Sequence, residues 1–147
     1  MKHIKRFNES IDDEIKNEIR QAVEDCFLDY TTDYGMKIQF VDGFYVPGYH
    51  FMSERLLKDL IREYPFTHLR GKNEKCIKVD FHNEGIGRVE DARLNIYLDE
   101  NSQTLFDESI HNLKAELKMI TNSFRLEDLP KELSPDFFGI NFLIIYE

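Results

Sequence analysis

Asp80, His82 and Glu84 stand at i, i+2 and i+4, next to Lys78. On an extended strand that spacing projects all three from one face. Carboxylate and imidazole are ligand types for zinc or a similar divalent ion, and the same groups can act as general acid and base. They are the chain's best candidates for metal-dependent catalysis. The plainer reading is a solvated strand end running into a turn at Asn83-Glu84-Gly85, because a metal centre also needs convergence and supporting hydrogen bonds.

Other signatures of catalysis are absent from the sequence. The five histidines, His3, His50, His68, His82 and His111, form no H-E-x-x-H pair. There is no G-x-S-x-G elbow and no Walker loop. Gly85-Ile86-Gly87 lacks the third glycine of a dinucleotide fingerprint and opens no helix. No cofactor is expected. Cys26 falls on the apolar face of a helix and Cys76 opens a strand, so both read as inert buried thiols.

Charge is the more unusual feature. The net charge is −9 at pH 7, and residues 11–34 carry eight acids against Lys16 and Arg20. Glu14, Glu18, Asp25 and Asp29 fall on one helical stripe beside the apolar face. Like charges at i, i+4 each cost roughly 0.2–0.5 kcal/mol in a helix, and Asp33 sits at the end the helix dipole disfavours. Local folding gains nothing from this pattern. A solubilising face is one reading. The other is a docking surface for a protein partner with a basic surface, since complementary charge steers encounter. The acidic balance opposes nucleic acid, whose affinity rests on phosphate contacts.

These residues need elements to position them. Ser10-Ile11-Asp12-Asp13 resembles a capping box, and Ile11, Ile15, Ile19, Val23, Phe27 and Tyr30 repeat with helical period. The spacing predicts a helix from Ile11 to Asp33, stopped by Gly35. Met36, Ile38 and Phe40 alternate as a strand, and Asp42-Gly43 signals a two-residue hairpin. The return strand from Phe44 meets a second turn at Pro47-Gly48 and is dense in aromatics. Tyr45 and Tyr49, if exposed, would anchor a partner.

Ser53 caps a second helix, ended by Pro65. Strands follow at Ile77–Phe81 and Leu94–Leu98, then a third helix from Thr104 to Asn122. The stretch through Pro130 and Pro135 reads as irregular. Phe137 to Tyr146 is a last strand, apolar on both faces apart from Asn141.

With the first helix set aside, the order is β-α-β-β-α-β, which predicts an α+β fold with a ferredoxin-like sheet and an additional N-terminal amphipathic helix. The second and third helices should then share one sheet face, leaving the first to cover the other. The same order invites comparison with the RNA-recognition module, but the strand Lys75–Phe81 lacks its central stacking aromatics. At 147 residues the expectation is a basic leader over residues 1–9, flexible or cleaved, and one domain over 10–147. No apolar run approaches the ~18 residues needed to span a bilayer, and no secretory h-region is present. A soluble cytoplasmic protein without membrane association is expected.

The leader Met1-Lys2-His3-Ile4-Lys5-Arg6-Phe7-Asn8-Glu9 resembles the start of many small proteins encoded by tailed bacteriophages. It is similar as well to the short leaders that direct internal proteins into phage proheads, where a maturation protease cuts after a glutamate two residues past an apolar one. That resemblance implies a phage origin, action in the host cytoplasm or association with the virion, and Glu9 as the position of a cut. Three functions are thereby open: a non-enzymatic protein-binding domain, which the charge pattern favours; an internal head protein delivered by its leader; and a metal-dependent enzyme built on Asp80, His82 and Glu84.

Overall fold

The last strand determines the architecture of this computed structural model, which describes residues 2–46, 48–65, 71, 73–83, 100–129, 132–134 and 137–147. That strand, Phe137–Tyr146, is paired along both edges. In chain order the elements are helices α1 (Lys2–Cys26) and α2 (Leu28–Tyr34), strands β1 (Lys37–Val46) and β2 (His50–Ser53), helix α3 (Glu54–Glu63), strand β3 (Glu74–Asn83), helix α4 (Glu100–Ile120), and strands β4 (Phe124–Asp128), β5 (Glu132–Ser134) and β6 (Phe137–Tyr146). The sheet has the order β2-β1-β3-β6-β4, with β5 also on β6, and every pair is antiparallel. The fold is α+β, as expected. The described strand order and helix count differ from the ferredoxin-like arrangement, so that finer expectation is not met.

Register assigns the two faces. Asp42 pairs with Ile77, and Ile77 with Ile144, so even residues of β1, odd residues of β3 and even residues of β6 share one side. Ile77, Val79, Phe81, Phe142, Ile144 and Tyr146 there meet Ile19, Val23, Phe27 and Tyr30 from the N-terminal helices and Leu113 and Leu117 from α4. Thus α1 lies on the same face as α4, not on the opposite one. Leu143, Ile145 and Cys76 point the other way and pack with Tyr45, Phe51 and Leu129. Helix α3 covers a small separate cluster, Val46, Met52 and Leu57, at the β1–β2 end.

The first helix departs from expectation at both ends. Its backbone is helical from Lys2, so Ser10 is internal to it and not at its start. It breaks at Phe27, whose φ of −101° and ψ of 11° leave the α region. Phe27 is fully buried, with its ring 4.8 Å from Phe81, 5.3 Å from Phe106 and 5.9 Å from Phe142. Packing of that ring overrides a locally continuous helical pattern. Gly35 ends α2 at φ 63°, the left-handed cap glycine allows.

The Asp42-Gly43 hairpin is a second correction. Strand β1 runs straight through both residues, and the reversal falls after Val46, where the Tyr49 N–H donates to the Val46 carbonyl at 2.9 Å. Asp42 accepts from Arg20 of α1 at 2.6 and 2.7 Å, so its carboxylate ties helix to sheet. Gly43 sits under Phe51: a Cβ there would lie 2.5 Å from the Met52 carbonyl oxygen and 2.6 Å from the Phe51 ring. The glycine serves close packing, and no turn requires it.

Ser53 caps α3 as expected, accepting from the Leu56 N–H at 3.3 Å. Helix α4 starts at Glu100 rather than at Thr104, and buries Leu113 and Leu117. The stretch expected to be irregular holds β4 and β5, with a register slip of one residue between them, as a bulge produces. The expected strand Leu94–Leu98 and the turn Gly85–Gly87 lie outside the described residues. No described helix is long and apolar enough to cross a membrane.

Replacing Gly43 with Ala should lower stability by ~1–3 kcal/mol through overpacking. A urea titration will show this as an earlier midpoint with an unchanged slope. An unchanged midpoint would mean that Phe51 moves aside without cost.

Candidate functional site

Strand alternation does place Asp80 and His82 on one face of β3, the side away from the helices. Their cross-strand neighbours there are Gln39 and Asn141 for Asp80, and Lys37 and Gly139 for His82. None of these is a metal-ligand carboxylate, thiol or imidazole. Instead the Asn141 amide, oriented with its nitrogen towards β3, donates to Asp80 and to the Ile140 carbonyl, and the Lys78 ammonium lies 3.9 Å from Asp80. Asp80 therefore serves to satisfy Asn141, which is buried in the middle of β6. Glu84 lies outside the described residues. Among the described residues no group of three histidine, cysteine or acidic side chains is placed to hold a metal.

A second polar cluster crosses four strands on this same face. Arg125 of β4 forms two hydrogen bonds to Glu74 of β3, at 2.8 and 3.0 Å, and a third to Glu127 at 3.3 Å. Its guanidinium lies 4.8 Å above the Tyr45 ring. Hydrogen bonding to Glu74 holds the Arg125 pKa above its ordinary value, against a smaller effect of burial. Tyr45 is half-buried beneath that guanidinium, whereas Tyr49 at the hairpin tip is 52% exposed.

The acidic stripe is on the outside of the molecule. Glu14 and Glu18 on α1, Asp25 near its end, and Asp29 on α2 are all exposed, as are Asp13, Glu24 and Asp33. Asp25 accepts from Gln21 at 2.9 Å. The two cations of this stretch, Lys16 and Arg20, are half-buried, and Arg20 is bound to Asp42. The side chain of Glu9 lies outside the described ones.

The feature with no counterpart in the sequence reading is a cavity of about 380 Å³ between α4 and the β4–β6 edge, near the lower end of ligand-pocket sizes. Its apolar wall includes Tyr30, Phe106 and Phe142, and its polar lining includes Asp107, Lys114 and Asp128. Tyr30 and Ser102 both line it, and the buried Tyr30 hydroxyl faces Ser102 without forming a well-aligned hydrogen bond. Phe106 is half-buried while Phe142 is closed off, so Phe106 is the ring with surface still to offer. Asp107 and Phe106 read in the sequence as a helix start. Their placement mid-helix, opposite β4, follows only from the tertiary pairing.

No protein-family model matches the chain, and no curated protein or solved structure is significantly similar to it.

Burial sets an alkaline limit on the fold around these sites. It pushes the Cys76 thiol from its ordinary 9.0 up to about 12, with Asp42 and Glu74 adding repulsion. Burial likewise pushes Tyr30 from 10.0 to about 12, opposed by Ser102. The folded state keeps both protons after the unfolded chain has lost them. Stability should hold below pH 9 and fall as pH rises towards about 12. Urea midpoints between pH 7 and 11 will show this decline, and Cys76→Val should remove its first part, leaving the decline that begins near pH 10 from Tyr30.

Proposed function

We propose that this protein is a non-enzymatic binding domain that recognises a basic segment of a protein partner through the exposed acidic face of α1 and α2. The observation that carries this reading is the exposure of seven carboxylates between residues 13 and 33, while the two cations there are drawn in and one is neutralised by Asp42. A face arranged only for solubility would interleave both signs. A one-sign field instead raises the rate of encounter with an oppositely charged partner. The leader's similarity to tailed-phage proteins supports a phage-encoded protein that meets its partner in the host cytoplasm or the virion. Asp80 and His82 do not enter this function, since Asp80 is engaged with Asn141 and Lys78.

The test is binding to an arginine- and lysine-rich peptide, followed by anisotropy at low and physiological salt. Affinity should fall as salt screens the field. The combined change Glu14→Gln, Glu18→Gln, Asp25→Asn and Asp29→Asn should weaken it by about tenfold or more, with stability little altered because all four side chains are exposed. Equal affinity in the variant would exclude this face as the docking surface.

A further inference from the structure

The cavity between α4 and β4–β6 deepens that reading, and the inference rests on it. We infer that the cavity receives a single arginine side chain from the basic partner, with the guanidinium lying against Phe106 between Asp107 and Asp128.

The protein itself shows what such a constellation holds. On the other sheet face, one aromatic ring and two carboxylates, Tyr45, Glu74 and Glu127, surround a guanidinium, that of Arg125. The cavity repeats the components with no arginine among its described lining residues: the partly open Phe106 ring, Asp107 and Asp128. Both carboxylates are exposed, and neither takes part in an ion pair among the described residues. Asp107 accepts from Gln103 at 2.9 Å through one oxygen, which leaves the other.

A guanidinium fits this arrangement better than an ammonium. It is planar, stacks on an aromatic face and presents donors to two carboxylates at once. Lys114, the one cation among the described lining residues, is seven residues along α4 from Asp107, about 10 Å by helical rise. Lys114 is thus set apart from Asp107 along the helix. An anion would meet two carboxylates against one ammonium. The wall residue Tyr30 is flanked in the chain by Asp29 and followed by Asp33 on the acidic face, so one basic segment can use both surfaces.

The probe is Nα-acetyl-arginine methylamide, titrated at millimolar concentration into the full chain and followed by NMR. Shift changes should concentrate on Phe106, Asp107, Asp128 and Tyr30. Asp128→Asn, an exposed change, should weaken the probe at least fivefold, and Asp107→Asn similarly. The lysine analogue should bind more weakly than arginine, and the isosteric, uncharged citrulline analogue should not bind. Shifts spread over α1 alone, or equal binding of arginine and citrulline, would overturn the inference. So would preferred occupation of the cavity by acetate or by a neutral aromatic. If the cavity probe fails while the basic peptide still binds in a manner that depends on Glu14, Glu18, Asp25 and Asp29, the acidic-face function stands and the arginine pocket is wrong. If both fail, so does the binding function.

Discussion

Strand β6 is closed on every side between Asn141 and Tyr146, and the rest of the structure answers to that constraint. Its edges are paired, one with β3 and the other with β4 and β5. Phe142, Ile144 and Tyr146 are buried beneath the helices, and Leu143 and Ile145 are buried on the reverse face. Each such side chain contributes about 1.5–3 kcal/mol when removed from water, so neither face of the strand can be left bare. The amide of Asn141, buried in that strand, needs a partner, and Asp80 on the neighbouring strand supplies it. Asp80, one of the residues that could be read as metal ligands, is thus explained by the needs of β6.

The bend at Phe27 is the second organising feature. Seating the Phe27 ring among Phe81, Phe106 and Phe142 turns the chain, and α2 then lays Tyr30 5.3 Å from Phe106. The same bend brings α2 to the wall of the cavity. Core packing, cavity and acidic surface are for this reason parts of one arrangement.

Local chemistry was legible in the sequence where the responsible residues are neighbours in the chain. The Ser53 cap, the Gly35 stop and the apolar stripe of α4 all follow from spacings of a few residues. So does the two-sided apolarity of β6. What could not be read depends on distant partners. Asp42-Gly43 has the composition of a turn, but Arg20 lies 22 residues before Asp42 and the Phe51 ring is what excludes a side chain at position 43. Strand β4 did carry a signal, the alternation of Phe124 and Leu126 with Arg125 and Glu127, which the nearby prolines at 130 and 135 outweighed. The cavity had none, since Phe106 and Asp128 are brought together only by the antiparallel return of β4 along α4.

A sheet centre paired on both edges stands behind the two proposed binding surfaces, the acidic face and the cavity. Amide hydrogen exchange with and without an arginine-rich peptide tests that claim most directly. The amides of β6 between Asn141 and Tyr146 should exchange slowest and be unaffected by the peptide, while α2 and the first half of α4 gain protection. Rapid exchange in β6, or new protection confined to α3 and β2, would contradict it.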